Sequence, residues 1–185
     1  DRALVGREDS HDHGVDSGRV LAVTFTNKAA GEMRARAEAL LEGRPLRAWM
    51  STFHSFCVRL LRREAAAAGL APGFLIYDED DQLAAVREAL RALDLSEKLH
   101  PPRRMLSRIS ARKNAGRAGD DEEGYASDLT SRVMERYHEV LRAGGAVDFD
   151  DLLLRAVALL DGSAAVREAW RQRFPFLLVD EYQDT

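Results

Sequence analysis

The stretch "RVLAVTFTNKAAGEM", residues 19–33, decides the fold class, because a strand pattern passes directly into a helix pattern. Residues 19–25 are mostly apolar, with β-branched and aromatic side chains, which is typical of a buried strand. Apolar residues then recur at helical spacing until Gly43, a residue type that often ends a helix. Thr26 or Asn27 lies where the N-cap of that helix belongs.

The same order of elements returns further along the chain. The segment "AWMST" (48–52) predicts a second strand, and the apolar positions of 53–61 predict the helix that follows it. The segment "PFLLVD" (175–180) predicts another strand, and its unbroken apolar run indicates a central strand covered on both faces. Alternating strands and helices predict an α/β fold built on a parallel sheet.

The middle of the chain lacks strand patterns. Apolar residues at helical spacing predict helices around 83–93, 105–112 and 133–141. The stretch 115–127 holds three glycines and an acidic block, which is typical of a loop. We therefore expect an all-helical insertion between two parts of the α/β fold, followed by helices over 149–160 and 163–172.

The composition favours a cytoplasmic protein. The chain has 185 residues, a formal net charge of −4 and a single cysteine, Cys57, so it forms no internal disulfide. No apolar stretch approaches the ~20 residues that cross a bilayer, and the N-terminus has no signal-peptide pattern. The net charge alone argues weakly against nucleic acid as a partner.

The distribution of charge reopens that question. Residues 101–119 contain five arginines and one lysine and no acid, whereas acidic blocks lie at 78–81 and 120–123. Segregated charge of this kind fits either a surface that contacts nucleic acid or a solvated basic helix face. The basic side chains concerned include Arg103, Arg104, Arg108, Arg112 and Lys113.

Polar residues follow the last predicted strand. Ligands gather at the carboxyl ends of parallel strands, and Asp180 is the first polar residue after the apolar run. A carboxylate there suits Mg²⁺, which usually takes one or two protein carboxylates and keeps several waters. Glu181 could polarise the water that attacks a phosphoryl group. The alternative is that these acids cap a loop or the next helix.

Two further strand ends carry polar and aromatic residues. Phe25, Thr26, Asn27 and Lys28 leave the first strand, and "STFHSF" (51–56) leaves the second. Helix N-terminal amides and polar side chains bind phosphates, and exposed aromatic rings stack on bases. We expect these residues to form a row at one edge of the sheet that single-stranded nucleic acid could follow. Alternatively, Thr26 and Asn27 only cap the helix and Phe25 is core.

Taken together, these segments resemble the N-terminal motor domain of superfamily 1 helicases of the UvrD/Rep/PcrA type. The resemblance runs from about residue 14 to residue 185 and rests on several ordered motifs. They are "LAVTFTNKAAGEM" (21–33), "TFHSFCVRLLR" (52–62), "FLIYDEDDQ" (74–82), "ISARKN" (109–114), "VDFDDLLL" (147–154) and "LLVDEYQDT" (177–185).

The resemblance implies an ATP-dependent DNA helicase that uses Mg²⁺ and moves 3′ to 5′ on single-stranded DNA or at single/double-strand junctions. Asp180 would bind Mg²⁺, Glu181 would activate water, and Gln183 would sense the γ-phosphate. The residues implied to touch single-stranded DNA are Phe25, Thr26, Asn27, Lys28, Thr52 and His54. The basic segment would contact duplex DNA or its backbone.

The resemblance also implies a RecA-like sheet interrupted by a helical subdomain. The expected segments are 1–18, an atypical N-terminal stretch; 19–77, the first part of the motor domain; 78–145, the inserted helices; and 146–185, the return to the motor domain.

One departure from the family pattern concerns residues 1–18, which lack the Gly-rich P-loop that cradles phosphates. We therefore expect a truncated, inactive fragment of a helicase. Two alternatives are a non-catalytic DNA-binding remnant and a piece of a helicase–nuclease of the RecB/AddA kind.

Overall fold

A computed structural model describes residues 16–41, 43–115 and 125–180 of the chain. Within these ranges the strands are β1 (Val20–Thr24), β2 (Trp49–Thr52), β3 (Leu75–Ile76), β4 (Ala146–Val147) and β5 (Phe176–Val179). The helices are α1 (Asn27–Leu40), α2 (Phe53–Arg63), α3 (Glu79–Ala92), α4 (Pro102–Ala115), α5 (Tyr125–Ala143), α6 (Phe149–Gly162) and α7 (Ala164–Arg173).

The chain divides into two compact units. The described residues within 1–52 and 170–185 form the first, here named the sheet unit, and those within 53–169 form the second, named the helical unit. These divisions fall at other positions than the segment boundaries expected from the sequence, 77/78 and 145/146. The assignment of those segments to domains therefore stays a prediction.

The sheet unit has a three-stranded parallel sheet in the order β2–β1–β5. Its middle strand, β1, has a hydrogen-bonded neighbour on each side and is buried from Leu21 to Thr24. Helix α1 begins where the sequence predicted, since Thr26 is its N-cap and accepts a hydrogen bond from the Ala29 amide at 3.1 Å. The predicted parallel α/β fold is confirmed.

The expected burial of β5 was wrong. The sequence predicted a central strand covered on both faces, yet β5 lies at the edge of the described sheet and exposes Phe176, Leu177 and Leu178. An apolar run shows that a strand is suited to burial, but it carries no information about which element covers it. Here only the β1 side of β5 is paired among the described residues.

The helical unit has a closed apolar core. Helices α3, α4 and α5 pack together around fully buried side chains, among them Val86, Leu90, Ile109, Val133 and Leu141. A reciprocal capping box between Asp78 and Asp81 begins α3. The predicted helical content of this region is confirmed for the described residues, and the predicted loop at 115–127 lies mostly outside them.

A short parallel ladder, missed in the sequence, lies at one end of these helices. Strands β3 and β4 pair Leu75 with Ala146 and Ile76 with Val147. Two residues per strand are too few to show a periodicity, so no pattern indicated them. Gly145 precedes β4 with a φ of +60°, a conformation that suits glycine.

Candidate functional site

Three strand ends of the sheet unit lie at the same level. The register aligns Thr24 with Thr52, and it aligns Val23 with Val179. The Asp180 amide continues the ladder, donating to the Val23 carbonyl at 3.0 Å. The carboxyl ends of β1, β2 and β5 therefore share one edge of the sheet, as parallel strands require.

Asp180 is exposed at this edge. It lines an open cavity of about 650 Å³ between α1 and β5, together with Glu32, Met33 and Leu178. A carboxylate in such a position is accessible to a hydrated cation. Glu181 and Gln183, the predicted water-activating and phosphate-sensing residues, lie outside the described residues. Among the residues that the structure describes, no group of three His, Cys, Asp or Glu side chains could enclose a metal ion.

The turn from β1 into α1 presents a mixed aromatic and polar surface. Phe25 is 40% exposed, which excludes the alternative that it is a core residue. Thr26, Asn27 and Lys28 are also exposed, and Lys28 forms a long ion pair of 3.9 Å with Glu32. The first amides of α1 and a nearby ammonium group can attract a phosphate.

Thr52, in contrast, is only 7% exposed. The structure therefore does not present Thr52 as an exposed contact residue, because most of its surface is covered at the end of β2. Its register partner Thr24 is fully buried, and no hydrogen-bond partner for the Thr24 hydroxyl exists among the described residues.

In the helical unit, His54 lies half-buried in the first turn of α2. Its imidazole contacts the Phe149 ring edge-on, with centroids 5.8 Å apart and an interplanar angle of 67°. Phe149, the first residue of the helix predicted over 149–160, is 48% exposed although it is a large apolar residue. No local sequence pattern indicated this exposure, because it depends on which elements pack beside the start of α6.

The basic side chains of α4 differ in their exposure. Arg103 and Arg104 are exposed, and Arg108 and Arg112 are half-buried. Lys113 is 5% exposed, so the prediction that it contributes to a basic surface is corrected. The spacing explains the difference, because Lys113 follows the buried Met105 and Ile109 at intervals of four residues.

Lys113 belongs to a buried ionic network. Its ammonium donates to Asp148 Oδ2 at 2.6 Å and to Asp151 Oδ1 at 2.8 Å. The Tyr137 hydroxyl donates to the same Asp148 oxygen at 2.7 Å. Burying charges is costly unless they are paired and hydrogen-bonded, and these are. The family signatures "ISARKN" and "VDFDDLLL" thus meet in space.

The network shifts the pKa values of its members. Burial alone would raise the pKa of Asp148, but the hydrogen bond and charge of Lys113 hold it below its usual range. Burial and the negative charge of Asp148 raise the pKa of Tyr137, so its hydroxyl stays a donor. Elsewhere in this unit, burial raises the pKa of the Cys57 thiol to about 11, and Cys57 is core, as predicted.

Comparison with known proteins places the chain in a family. The sequence model of the UvrD/REP helicase N-terminal domain matches residues 10–185. The chain is 42% identical to the ATP-dependent DNA helicase UvrD1 of Mycobacterium tuberculosis over 93% of its length. It is 39% identical to the ATP-dependent DNA helicase PcrA of Staphylococcus epidermidis over 90% of its length. The chain belongs to the UvrD/REP helicase family.

Each of these alignments spans 23% of the relative's own length. The chain therefore spans about a quarter of the length of these relatives. Among the described residues, no helix combines the length and apolarity that crossing a bilayer requires.

Proposed function

We propose that this chain forms part of an ATP-dependent DNA helicase and carries contacts to single-stranded DNA together with the metal-binding carboxylate of the nucleotide site. The observation that carries this proposal is the alignment of strand ends. It brings Asp180 to the same sheet edge as the turn that holds Phe25. A motor needs this adjacency, since nucleotide state must be communicated to the DNA site.

The DNA contact proposed for the sheet unit uses different physical interactions at each residue. Phe25 offers an exposed ring for base stacking, which is worth about 1–3 kcal/mol per base. The Thr26 hydroxyl already caps α1, so Asn27, Lys28 and the first amides of α1 are the groups available to a phosphate. None of these groups reads a base edge, so binding should be insensitive to sequence. In the helical unit, His54 is the proposed contact.

The nucleotide side of the proposal rests on Asp180. One exposed carboxylate fits the small number of protein ligands that Mg²⁺ takes, and Mg²⁺ would neutralise charge on the phosphates of ATP. Glu181 is the proposed base that orients the attacking water, and Gln183 is the proposed sensor of the γ-phosphate. Movement in the 3′ to 5′ direction and a preference for single/double-strand junctions complete the proposal.

Binding to DNA tests the first half. Fluorescence anisotropy of a labelled oligothymidylate should show weak binding that weakens further with added salt, because phosphate contacts release counterions. Phe25→Ala should reduce the affinity about tenfold, as expected from a lost stacking contact. Phe176→Ala is the matched control. Phe176 is comparably exposed, but it is the first residue of β5 and so lies away from the sheet edge where Asp180 follows the last one. Equal affinities of the two variants would refute the proposed face.

Hydrolysis tests the second half. Lysine occurs only at positions 28, 98 and 113 of the 185 residues, and none of these lies in a P-loop sequence. We therefore propose that this chain alone hydrolyses negligible ATP, with or without DNA. A DNA-stimulated rate that disappears in Glu181→Gln would contradict this part of the proposal while supporting the assigned role of Glu181.

A further inference from the structure

We infer that the buried network of Lys113, Asp148 and Tyr137 positions Phe149 against His54 and so sets the orientation in which the imidazole meets DNA. The inference rests on the proposed function, because it takes His54 to be a DNA contact. It adds three positioning residues that themselves lie too deep to touch DNA.

The central group is the Asp148 carboxylate, which uses both of its oxygens. Oδ1 accepts a hydrogen bond from the Asp151 amide at 2.8 Å and thereby caps α6. Oδ2 accepts from Lys113 and from the Tyr137 hydroxyl. One buried carboxylate therefore connects the start of α6 to both α4 and α5.

Phe149 is the first residue of α6, directly after this cap. The backbone geometry at the cap determines the direction in which the Phe149 side chain leaves the helix. Its ring is nearly half exposed, so burial in the core does not explain its placement. The structure shows an edge-on aromatic contact of this ring with His54.

A purely structural role for the network predicts something different. In that case its loss lowers the stability of the helical unit and leaves the surroundings of His54 unchanged. The two roles separate in a measurement that observes His54 directly. The ring current of Phe149 acts on the imidazole protons, so their NMR chemical shifts report the position of one ring relative to the other.

Tyr137→Phe is the variant of choice, because it removes one hydroxyl and keeps the buried ring. Its matched control is Tyr77→Phe, since Tyr77 also packs against the core of this unit and its hydroxyl is not a member of the network. His54→Gln identifies the His54 resonances, and Phe149→Leu gives their shifts without the ring. Asp148→Asn is a second test, since asparagine can still cap α6 but has lost the charge.

We expect Tyr137→Phe and Asp148→Asn to move the His54 resonances toward their positions in Phe149→Leu. Affinity for oligothymidylate should fall about two- to tenfold, the range that corresponds to a lost aromatic contact. Tyr77→Phe should change neither. His54 shifts and affinity that both stay at wild-type values, in variants that remain folded, would overturn the inference.

The same data distinguish this inference from the proposed function. Moved His54 resonances in a protein that binds no oligothymidylate would support the positioning contact and refute the DNA-binding role. Oligothymidylate binding that depends on Phe25 but not on Tyr137 or Asp148 would support the DNA-binding role and refute the positioning network.

Discussion

The two units of the molecule handle apolar surface in opposite ways. In the helical unit, α3, α4 and α5 enclose a core whose central side chains have no exposed surface. In the sheet unit, α1 has no fully buried residue, and β5 leaves three large apolar side chains exposed. The comparison teaches that the surface from Phe25 to Lys28 and Asp180, which carries the proposed contacts of the sheet unit, lies where packing is least complete.

Charged side chains are distributed in the opposite way. In the described part of the sheet unit the charged groups lie at the surface, for example in the long pair between Lys28 and Glu32. The helical unit buries Lys113 between two carboxylates. A basic residue in a basic stretch is therefore no guarantee of a basic surface, and the helical spacing decides.

The largest effect that would sharpen this contrast is expected from Lys113→Met. Removing the ammonium leaves Asp148 and Asp151 buried without a cation, which should cost about 3–5 kcal/mol of unfolding free energy. Hydrogen exchange of peptides from α3 and α5 measures this loss of unfolding free energy. Arg136→Met, which removes an exposed pair with Glu139, should cost at most about 1 kcal/mol. Equal losses of unfolding free energy in the two variants would contradict the difference expected between a buried and an exposed ion pair.

A second prediction compares two leucines. Leu90→Ala should destabilise the helical unit by about 2–5 kcal/mol, because it opens a cavity in a closed core. Leu178→Ala should change stability by less than about 0.5 kcal/mol, since Leu178 is 58% exposed. Urea unfolding, monitored by hydrogen exchange in each unit, measures the change in stability that each variant causes. A large loss in Leu178→Ala would show that this surface is covered in solution.

A third, smaller effect concerns the start of α1. Thr26→Ala removes the side-chain acceptor for the Ala29 amide and should cost about 1 kcal/mol. Because α1 has little core packing to compensate, its first turn should exchange amide hydrogens faster. Thr26→Ser keeps the acceptor and should behave like the wild type. Unchanged exchange in Thr26→Ala would show that packing, and not the cap, holds the helix.

The smallest effect is a pH dependence confined to the helical unit. Burial and the charge of Lys113 lower the pKa of His138, while Asp151 and Asp148 oppose the shift and Arg142 adds to it. Below the ordinary histidine pKa of about 6.5, the unfolded chain binds a proton that the folded one resists. Stability should therefore rise with pH up to about 6.5 and then level off. His138→Gln should flatten this rise in unfolding measured between pH 5 and pH 8; a rise that persists would assign it elsewhere.

Much of the fold follows from local patterns. Strands β1, β2 and β5 and the N-cap at Thr26 could be predicted because periodicity and capping chemistry act over a few residues. The shared edge of the strand ends follows as well, since parallel strands fix it.

What could not be predicted depends on contacts between distant parts of the chain. The network joins Lys113 to residues 35 and 38 positions away, and no local pattern encodes such a meeting. The exposure of β5 and of Phe149 depends in the same way on which neighbours are present. The burial of Thr52 at a strand end, beside exposed motif residues, has the same origin.

The aromatic residues near β2 have a practical consequence. The chain has two tryptophans, Trp49 and Trp170, and both lie in the sheet unit with ring centroids 6.2 Å apart. Excitation at the red edge of the tryptophan absorption band therefore gives fluorescence from the sheet unit and not from the helical unit. Intrinsic tryptophan fluorescence therefore reports selectively on the unit that contains Phe25 and Asp180.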